Sequence, residues 1–180
     1  MARARRYYAA VSYVDEHVGD IVSLLSERAS YEESIIVFHS DHGYHLGEHG
    51  EWEKKSNFDL VVHVPLMIKA PRSLGAAPAR TASITELIDV FPTLVALAGL
   101  PPPPGIDGQD LSQLFHTPRA ELKSVAFHQY PACGCAALNT TRLSCNNVHR
   151  ADFDFMGYSL RTKDWRYTLW LPWNGQTPDF

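Results

Sequence analysis

The sequence predicts an α/β fold, and three observations predict it. An apolar stripe at helical spacing runs from Tyr7 to about Arg28. A short aperiodic run of Ile, Val and Phe comes next at Ser34–His39. Near the end, two alternating segments, Tyr158–Leu160 and Tyr167–Leu171, flank Lys163-Asp164 in the pattern of a hairpin. A helical period succeeded by an aperiodic apolar run is the signature of helix packed on sheet.

In the first segment Val11, Val14, Val18, Ile21, Val22 and Leu25 form one face, with Asp15, Glu16, Asp20 and Glu27 on the other, so the spacing predicts a helix packed on a sheet. The run Ser34–His39 has no polar alternation and predicts a strand buried on both faces, with His39 inside. Val61–Lys69 predicts a second strand, with Pro65 at an edge or irregular position. Between the two strands lies a long polar loop, of the kind compact domains keep for function. Residues 71–80 are rich in Pro, Ala and Gly and predict an exposed connection. Ser83-Ile84-Thr85-Glu86 has capping-box spacing and predicts a helix running toward Asp89, kinked or restarted at Pro92 and ending at Gly99 before four prolines. A short helix at Asp110–Phe115 and a strand at Val125–Gln129 complete the sequence of elements.

Composition narrows the function classes. The chain has 180 residues, 45% of them hydrophobic, which is enough for one domain core. A net charge of -4 supplies no basic field, so neither nucleic acid nor an anionic membrane surface is an expected partner. No apolar run reaches the length of a membrane span. Residues 1–6 carry the positive charge of a signal n-region, but Asp15 and Glu16 break the apolar stretch that an h-region needs, and no signal peptide is read here. Three cysteines, Cys133, Cys135 and Cys145, leave at least one thiol unpaired within the chain. Their spacing suits a disulfide within the loop, or free thiols, better than a four-ligand zinc site. Asn139-Thr140-Thr141 is a glycosylation sequon and points, with the cysteines, to an oxidising compartment.

The chemistry concentrates after the first strand. Asp41 and His42 stand at its carboxyl end, where loops of an open α/β sheet converge on one crevice. A strand-ending Asp-His could be no more than an Asx turn. The rest of the segment carries more: Tyr44, His45, Glu48, His49, Glu51, Trp52 and Lys54 come within a dozen residues, interspersed with Gly43, Gly47 and Gly50. His49 could touch a ligand or order the loop, whereas His63 reads as a structural group on its strand and His128 matches no motif.

Ser40-Asp41-His42-Gly43, Leu46-Gly47-Glu48-His49-Gly50-Glu51-Trp52, Lys54, Ser56-Asn57-Phe58-Asp59 and His63-Val64-Pro65-Leu66 together resemble the sulfatase family, and within it the iduronate-2-sulfatase-like branch. Tyr8-Ala9 with Ser12-Tyr13 resembles the family's preceding helix, and Glu86-Leu87 with Phe91-Pro92-Thr93-Leu94 the helix after the site. Met156-Gly157-Tyr158-Ser159, Arg161-Thr162 and Arg166-Tyr167-Thr168 resemble its C-terminal hairpin. The resemblance implies the later part of an alkaline-phosphatase-like doubly wound sheet domain over residues 1–130, and the start of a small antiparallel C-terminal subdomain over residues 131–180.

It further implies hydrolysis of sulfate esters of uronic-acid sugars in glycosaminoglycans, with a sulfated carbohydrate as partner and a lysosomal, periplasmic or secreted location. Asp41 and His42 are the implied metal ligands, for one divalent ion expected to be Ca²⁺, although a histidine in a calcium shell leaves the metal's identity open. Lys54 is the implied sulfate-binding residue, with Tyr44 and His49 as further substrate contacts. The family's nucleophile, a formylglycine made from cysteine in a Cys-x-Pro-x-Arg context, has no counterpart here, because neither Cys133-Gly134-Cys135 nor Cys145-Asn146 fits that context. No catalytic residue is therefore assigned within this chain, which is read as a fragment lacking the N-terminal part of its domain and inert alone. Two rivals stand beside this reading: a non-catalytic binding or remnant protein, and a phosphatase or phosphodiesterase of the same superfamily.

Overall fold

The computed structural model describes residues 2–133, 149, 151 and 153–175. Cys135, Cys145 and the sequon at Asn139 lie outside the described residues. Cys133 is disulfide-bonded.

Helix α1 (Ala2–Glu27) forms where its period predicts, but its apolar face is not packed on a sheet. Val11, Val14 and Ile21 are all about half exposed or more, at 51%, 52% and 60%. Local hydrogen bonds and i,i+4 spacing suffice to make a helix of this length, whereas burial needs a partner surface. Strand β1 (Ile36–His39) is likewise not buried on both faces: Ile36 and Val37 are half-buried, and Phe38 and His39 are exposed, so His39 does not pack inside.

The chain next makes a two-residue ladder, β2 (His45–Leu46) against β3 (Trp52–Glu53), around a short 3-10 turn at Glu48–Gly50. The expected strand from Val61 is split. Asp59–Val62 is a helical turn, α2, and only Leu66–Lys69 is extended, as β4. Val61 is buried within that turn and His63 caps it, exposed rather than structural. Pro65 sits just ahead of β4, where its missing N–H costs no ladder bond. β1 and β4 pair antiparallel with Ile36 opposite Lys69 and His39 opposite Leu66.

The capping box at Ser83–Glu86 does not open a helix. Glu86 is extended, and a 3-10 turn at Leu87–Asp89 leads into α3 (Val90–Leu97), with the Asp89 carboxylate accepting from the Glu86 backbone N–H at 2.8 Å. The box forms three residues later than Ser83 suggests, because Glu86 and Asp89 repeat the same carboxylate-at-fourth-position pattern. Pro92 falls in the first turn of α3, where its ring is tolerated, and does not break it. The helix ends as expected at Gly99, whose N–H bonds Ala96 O while that of Leu100 bonds Val95 O, a Schellman closure. Residues 112–115 form a 3-10 turn.

Strands β5 (Ala126–Ala132), β6 (Phe155–Arg161) and β7 (Arg166–Pro172) make one antiparallel sheet in the order β5-β6-β7. The hairpin is longer than its alternation suggests, running from Phe155 opposite Pro172 to Arg161 opposite Arg166. β5 runs across position 130 into this sheet. The described core is small: Val61, Leu97, Leu111, Leu114 and Met156 are its buried apolar side chains.

One charged cluster lies inside. Asp89, fully buried, meets Lys123 Nζ at 2.6 Å and accepts from Gln109 N at 2.8 Å, while Glu86 takes Lys123 Nζ at 2.7 Å and Phe127 N at 2.8 Å. Burial by itself would push the Lys123 ammonium down, but its bonds to Asp89 and Glu86 outweigh that and hold its pKa above the ordinary lysine value. Thr93 donates to Asp89 O at 2.6 Å and accepts from Leu111 N at 2.9 Å. The cluster thus ties α3 to residues 109–127.

Candidate active site at the end of the first strand

After β1 the chain doubles back along residues 61–65. Ser40 N donates to Pro65 O at 3.3 Å and Gly43 N to Val61 O at 2.7 Å. A Cβ on Gly43 would lie 1.9 Å from Leu60 O, so only glycine permits this approach. The close passage holds Asp41 and His42 at the strand's end.

The imidazole of His42 is fixed from both sides. Its Nδ1 lies 2.8 Å from Gly43 O, a carbonyl that can only accept, so Nδ1 carries the proton. That leaves Nε2 as a bare lone pair, and the Lys54 ammonium donates to it at 2.5 Å. Asp41 Oδ2 stands 3.3 Å from the same nitrogen, while its Oδ1 accepts from His42 N at 3.0 Å. The Asp41 side chain is 79% exposed, so most of its valence faces outward. His42 and Lys54, 12 positions apart in sequence, therefore meet within hydrogen-bonding distance. An oriented imidazole with its other nitrogen on a backbone carbonyl is the usual stance of a metal-binding histidine, and the adjacent carboxylate adds an anionic oxygen. These two donors fit part of a divalent cation's shell. No group of three or more His, Cys, Asp or Glu poised for a metal occurs among the described residues.

Asp41, His42, Lys54, Ser56, His128 and Lys163 line one cleft of about 1800 Å³. Seven of the residues on its walls are Lys or Arg and three are Asp or Glu. Three of these cations pair with carboxylates, Lys55 with Glu53, Arg72 with Glu32 and Arg161 with Asp59, and the Lys54 ammonium stands beside His42 as the cation for an anionic ligand.

Tyr44 and His49 do not join this cleft. Tyr44 stacks on Tyr7 of α1 with ring centroids 5.3 Å apart, and His49 stacks on Phe58 at 4.3 Å and 9°. Glu48 folds back to accept from Leu46 N at 2.6 Å, a bond that lowers its pKa and orders the loop. Trp52 lies under the Arg3 guanidinium, 5.5 Å from its ring.

Two features escaped sequence reasoning. His45 is fully buried, and its Nε2 meets Ser56 Oγ at 2.8 Å. The loop after Lys54 is also gripped by the hairpin: Arg161 Nε lies 3.2 Å from Asp59, and Arg166 donates to Asn57 O at 2.6 Å. Both partners stood in recognisable motifs, Ser56–Asp59 and Arg161/Arg166, but nothing in either motif said that they touch. His128 is half-buried, and burial, ahead of the Arg166 charge, pushes its imidazole below the ordinary histidine value.

Residues 2–100 match the Sulfatase family model. The chain belongs to the sulfatase family. Among curated relatives of this sulfatase-family chain, iduronate 2-sulfatase of Mus musculus is 37% identical over 212 residues, covering 92% of the chain and 37% of the relative. The Homo sapiens iduronate 2-sulfatase is 32% identical, covering 93% and 38%. Choline-sulfatase of Rhizobium meliloti is 43% identical over 99 residues, 54% of the chain and 19% of the relative. The chain thus spans under two fifths of the length of the iduronate 2-sulfatases it matches. Two solved structures share the fold: the phosphonate monoester hydrolase of Agrobacterium radiobacter, with TM-score 0.64 at 26% identity over 90% of this chain and 33% of that one, and that of Silicibacter pomeroyi, with TM-score 0.62 at 24% over 88% and 32%. The α/β fold class expected from the sequence is thereby borne out. No helix among the described residues is long and apolar enough to cross a membrane.

Proposed function

We propose that this chain is part of a sulfuric ester hydrolase of the iduronate-2-sulfatase type, acting on sulfate esters of uronic-acid sugars. The observation that carries the reading is the meeting of Asp41, His42 and Lys54 on one wall of a cation-rich cleft. A sulfate ester is anionic throughout its hydrolysis, so a site that accelerates the reaction must present positive charge and donors to its oxygens. Lys54 supplies a compact ammonium on a flexible stem for the sulfate oxygens. With His42 Nε2 given over to a cation, the Lys54 ammonium would be left for the sulfate oxygens. Asp41 and His42 would then hold a divalent cation, Ca²⁺ in this reading, together with ligands from outside the chain; bound there, the ion supplies electrostatic stabilisation of the sulfate oxygens. The formylglycine nucleophile belongs to residues outside these 180, as does the sheet surface that covers α1 and β1. The chain ahead of β5 goes with that catalytic domain, and the antiparallel sheet that β5 opens at Ala126, five residues earlier than position 131, begins the C-terminal subdomain. A lysosomal, secreted or periplasmic site of action agrees with the disulfide at Cys133.

The test is a polypeptide carrying the complete domain around these residues, assayed with a 2-sulfated uronic-acid disaccharide, an aryl sulfate and a phosphate diester. Sulfate release that EDTA abolishes is the expected result. Faster cleavage of the phosphate diester would transfer the site to the phosphodiesterase class, and no turnover of any substrate would leave a binding protein.

A further inference from the structure

One guanidinium grips three consecutive residues of the loop after Lys54. Arg166, on β7, donates through Nη1 to Asn57 O at 2.6 Å, stands 5.1 Å over the Phe58 ring, and brings Nε to 3.9 Å from Asp59 Oδ1. These contacts join positions more than a hundred residues apart. Arg166 is itself steadied by a bond from Nη1 to Thr168 Oγ1 at 3.2 Å, and Thr168 shares a 2.5 Å hydroxyl contact with Ser159 on β6.

The rest of the hairpin is shaped to the same loop. Asn57 is buried and donates through Nδ2 to Tyr130 O at 3.2 Å. A Cβ on Gly157 would lie 2.4 Å from that Nδ2 and 2.7 Å from Trp170, so β6 is bare of a side chain where the loop presses on it. Arg161 adds a second guanidinium on Asp59 at 3.2 Å. Upstream, Lys54 directly succeeds β3, whose Glu53 pairs with His45, and His45 holds Ser56. The lysine is thus bracketed on its N-terminal side by the β2–β3 ladder and on its C-terminal side by the hairpin.

We infer that Arg166 is a positioning residue for Lys54: it anchors residues 57–59 so that the Lys54 ammonium reaches the anion in the cleft. The inference rests on the reading of Lys54 as the sulfate-binding group. Its chemistry is geometric. A planar guanidinium donates along fixed directions and stacks on an aromatic ring while it does so, and an ammonium in its place keeps the charge but loses the stack and the fork. Without the Arg166 anchor, residues 56–59 keep His45 on Ser56, Tyr130 O on Asn57 and Arg161 on Asp59 but lose the bond on Asn57 O and the stack on Phe58, and displacement of a binding group by about 1 Å can cost on the order of 10²-fold.

The experiment is a double-mutant cycle in a polypeptide with the complete domain, using an aryl sulfate as substrate and inorganic sulfate as competing ligand. Parent activity and Lys54→Ala are measured first and decide the reading of Lys54 on their own. Arg166→Lys is then placed in both backgrounds. The expected result is a KM for the aryl sulfate, and an inhibition constant for sulfate, raised on the order of 10-fold to 100-fold in the parent and unchanged in the Lys54→Ala background, with metal content equal in all four proteins. Equal losses in both backgrounds would mean that Arg166 only supports the fold and would overturn the inference, as would no loss in the parent. Should Arg166→Lys fail to fold, Thr168→Val removes one anchor of the guanidinium and is judged by the same criterion with a smaller loss. If neither variant folds, the guanidinium is a folding element and the inference falls.

Discussion

Two charged constellations in this chain use the same side-chain types to opposite ends. Around Asp89, two carboxylates and Lys123 satisfy one another inside the protein, and backbone N–H groups of Gln109, Glu86 and Phe127 each donate to one of the carboxylate oxygens. Around Asp41, a carboxylate, an imidazole and Lys54 also converge, but the carboxylate is 79% exposed and the lysine's partner is a neutral lone pair. The first cluster is closed, and removing Lys123 strands the buried Asp89 carboxylate. The second is open, and its unfilled valences face a cleft. A lysine beside carboxylates is therefore not informative by itself; whether its valences end inside the chain decides between scaffold and site.

The largest expected effect breaks the closed cluster. Lys123→Ala leaves Asp89 buried with backbone donors but no cation, and such a loss costs about 3–5 kcal/mol. Denaturant unfolding of the complete-domain polypeptide measures it. Lys123→Met, which keeps the volume, should suffer nearly as much; a change below about 1 kcal/mol in both would show that the cluster is less closed than its geometry says.

Asp41→Ala is the matching substitution in the open cluster. It should leave the unfolding midpoint unchanged, because the side chain is exposed and holds only its neighbour's N–H. In the complete domain it should lower sulfate-ester turnover about 10²-fold or more at saturating Ca²⁺. Activity within a few-fold of the parent would remove Asp41 from the site.

Lys54→Ala sharpens the contrast within the open cluster itself. Turnover and sulfate affinity should fall while bound metal, read by elemental analysis, stays constant. Parallel loss of both would assign Lys54 to the metal side of the cluster.

The smallest effect is at His128, on the wall of the cleft. Because burial depresses its pKa, the fold favours the neutral imidazole. Its stabilising contribution is complete above the unfolded value near 6.5 and is lost as pH falls through the lower folded value. The thermal midpoint of the parent should therefore drop more between about pH 7 and pH 5 than that of His128→Asn. Identical pH dependence in the two proteins would refute the shift.

Local sequence determined a good deal of this protein. The 3.6-residue stripe of α1, the Gly99 closure of α3 and the alternation of β6 and β7 all arise from patterns within a few residues. Such short-range terms are readable from spacing. The motif around Lys54 also pointed to the right family.

Only the tertiary structure decided the rest. Tyr44 and His49 come from the same polar loop as His42 and Lys54, yet the first two stack on Tyr7 and Phe58 while the others meet in the cleft. Exposure of the α1 stripe, the burial of His45 and the grip of Arg166 on residues 57–59 depend on which surface arrives from far along the chain. A side chain's type fixes which bonds it can make, but its partner is set by where the chain returns in space, and that depends on packing over the whole fold rather than on neighbours in sequence.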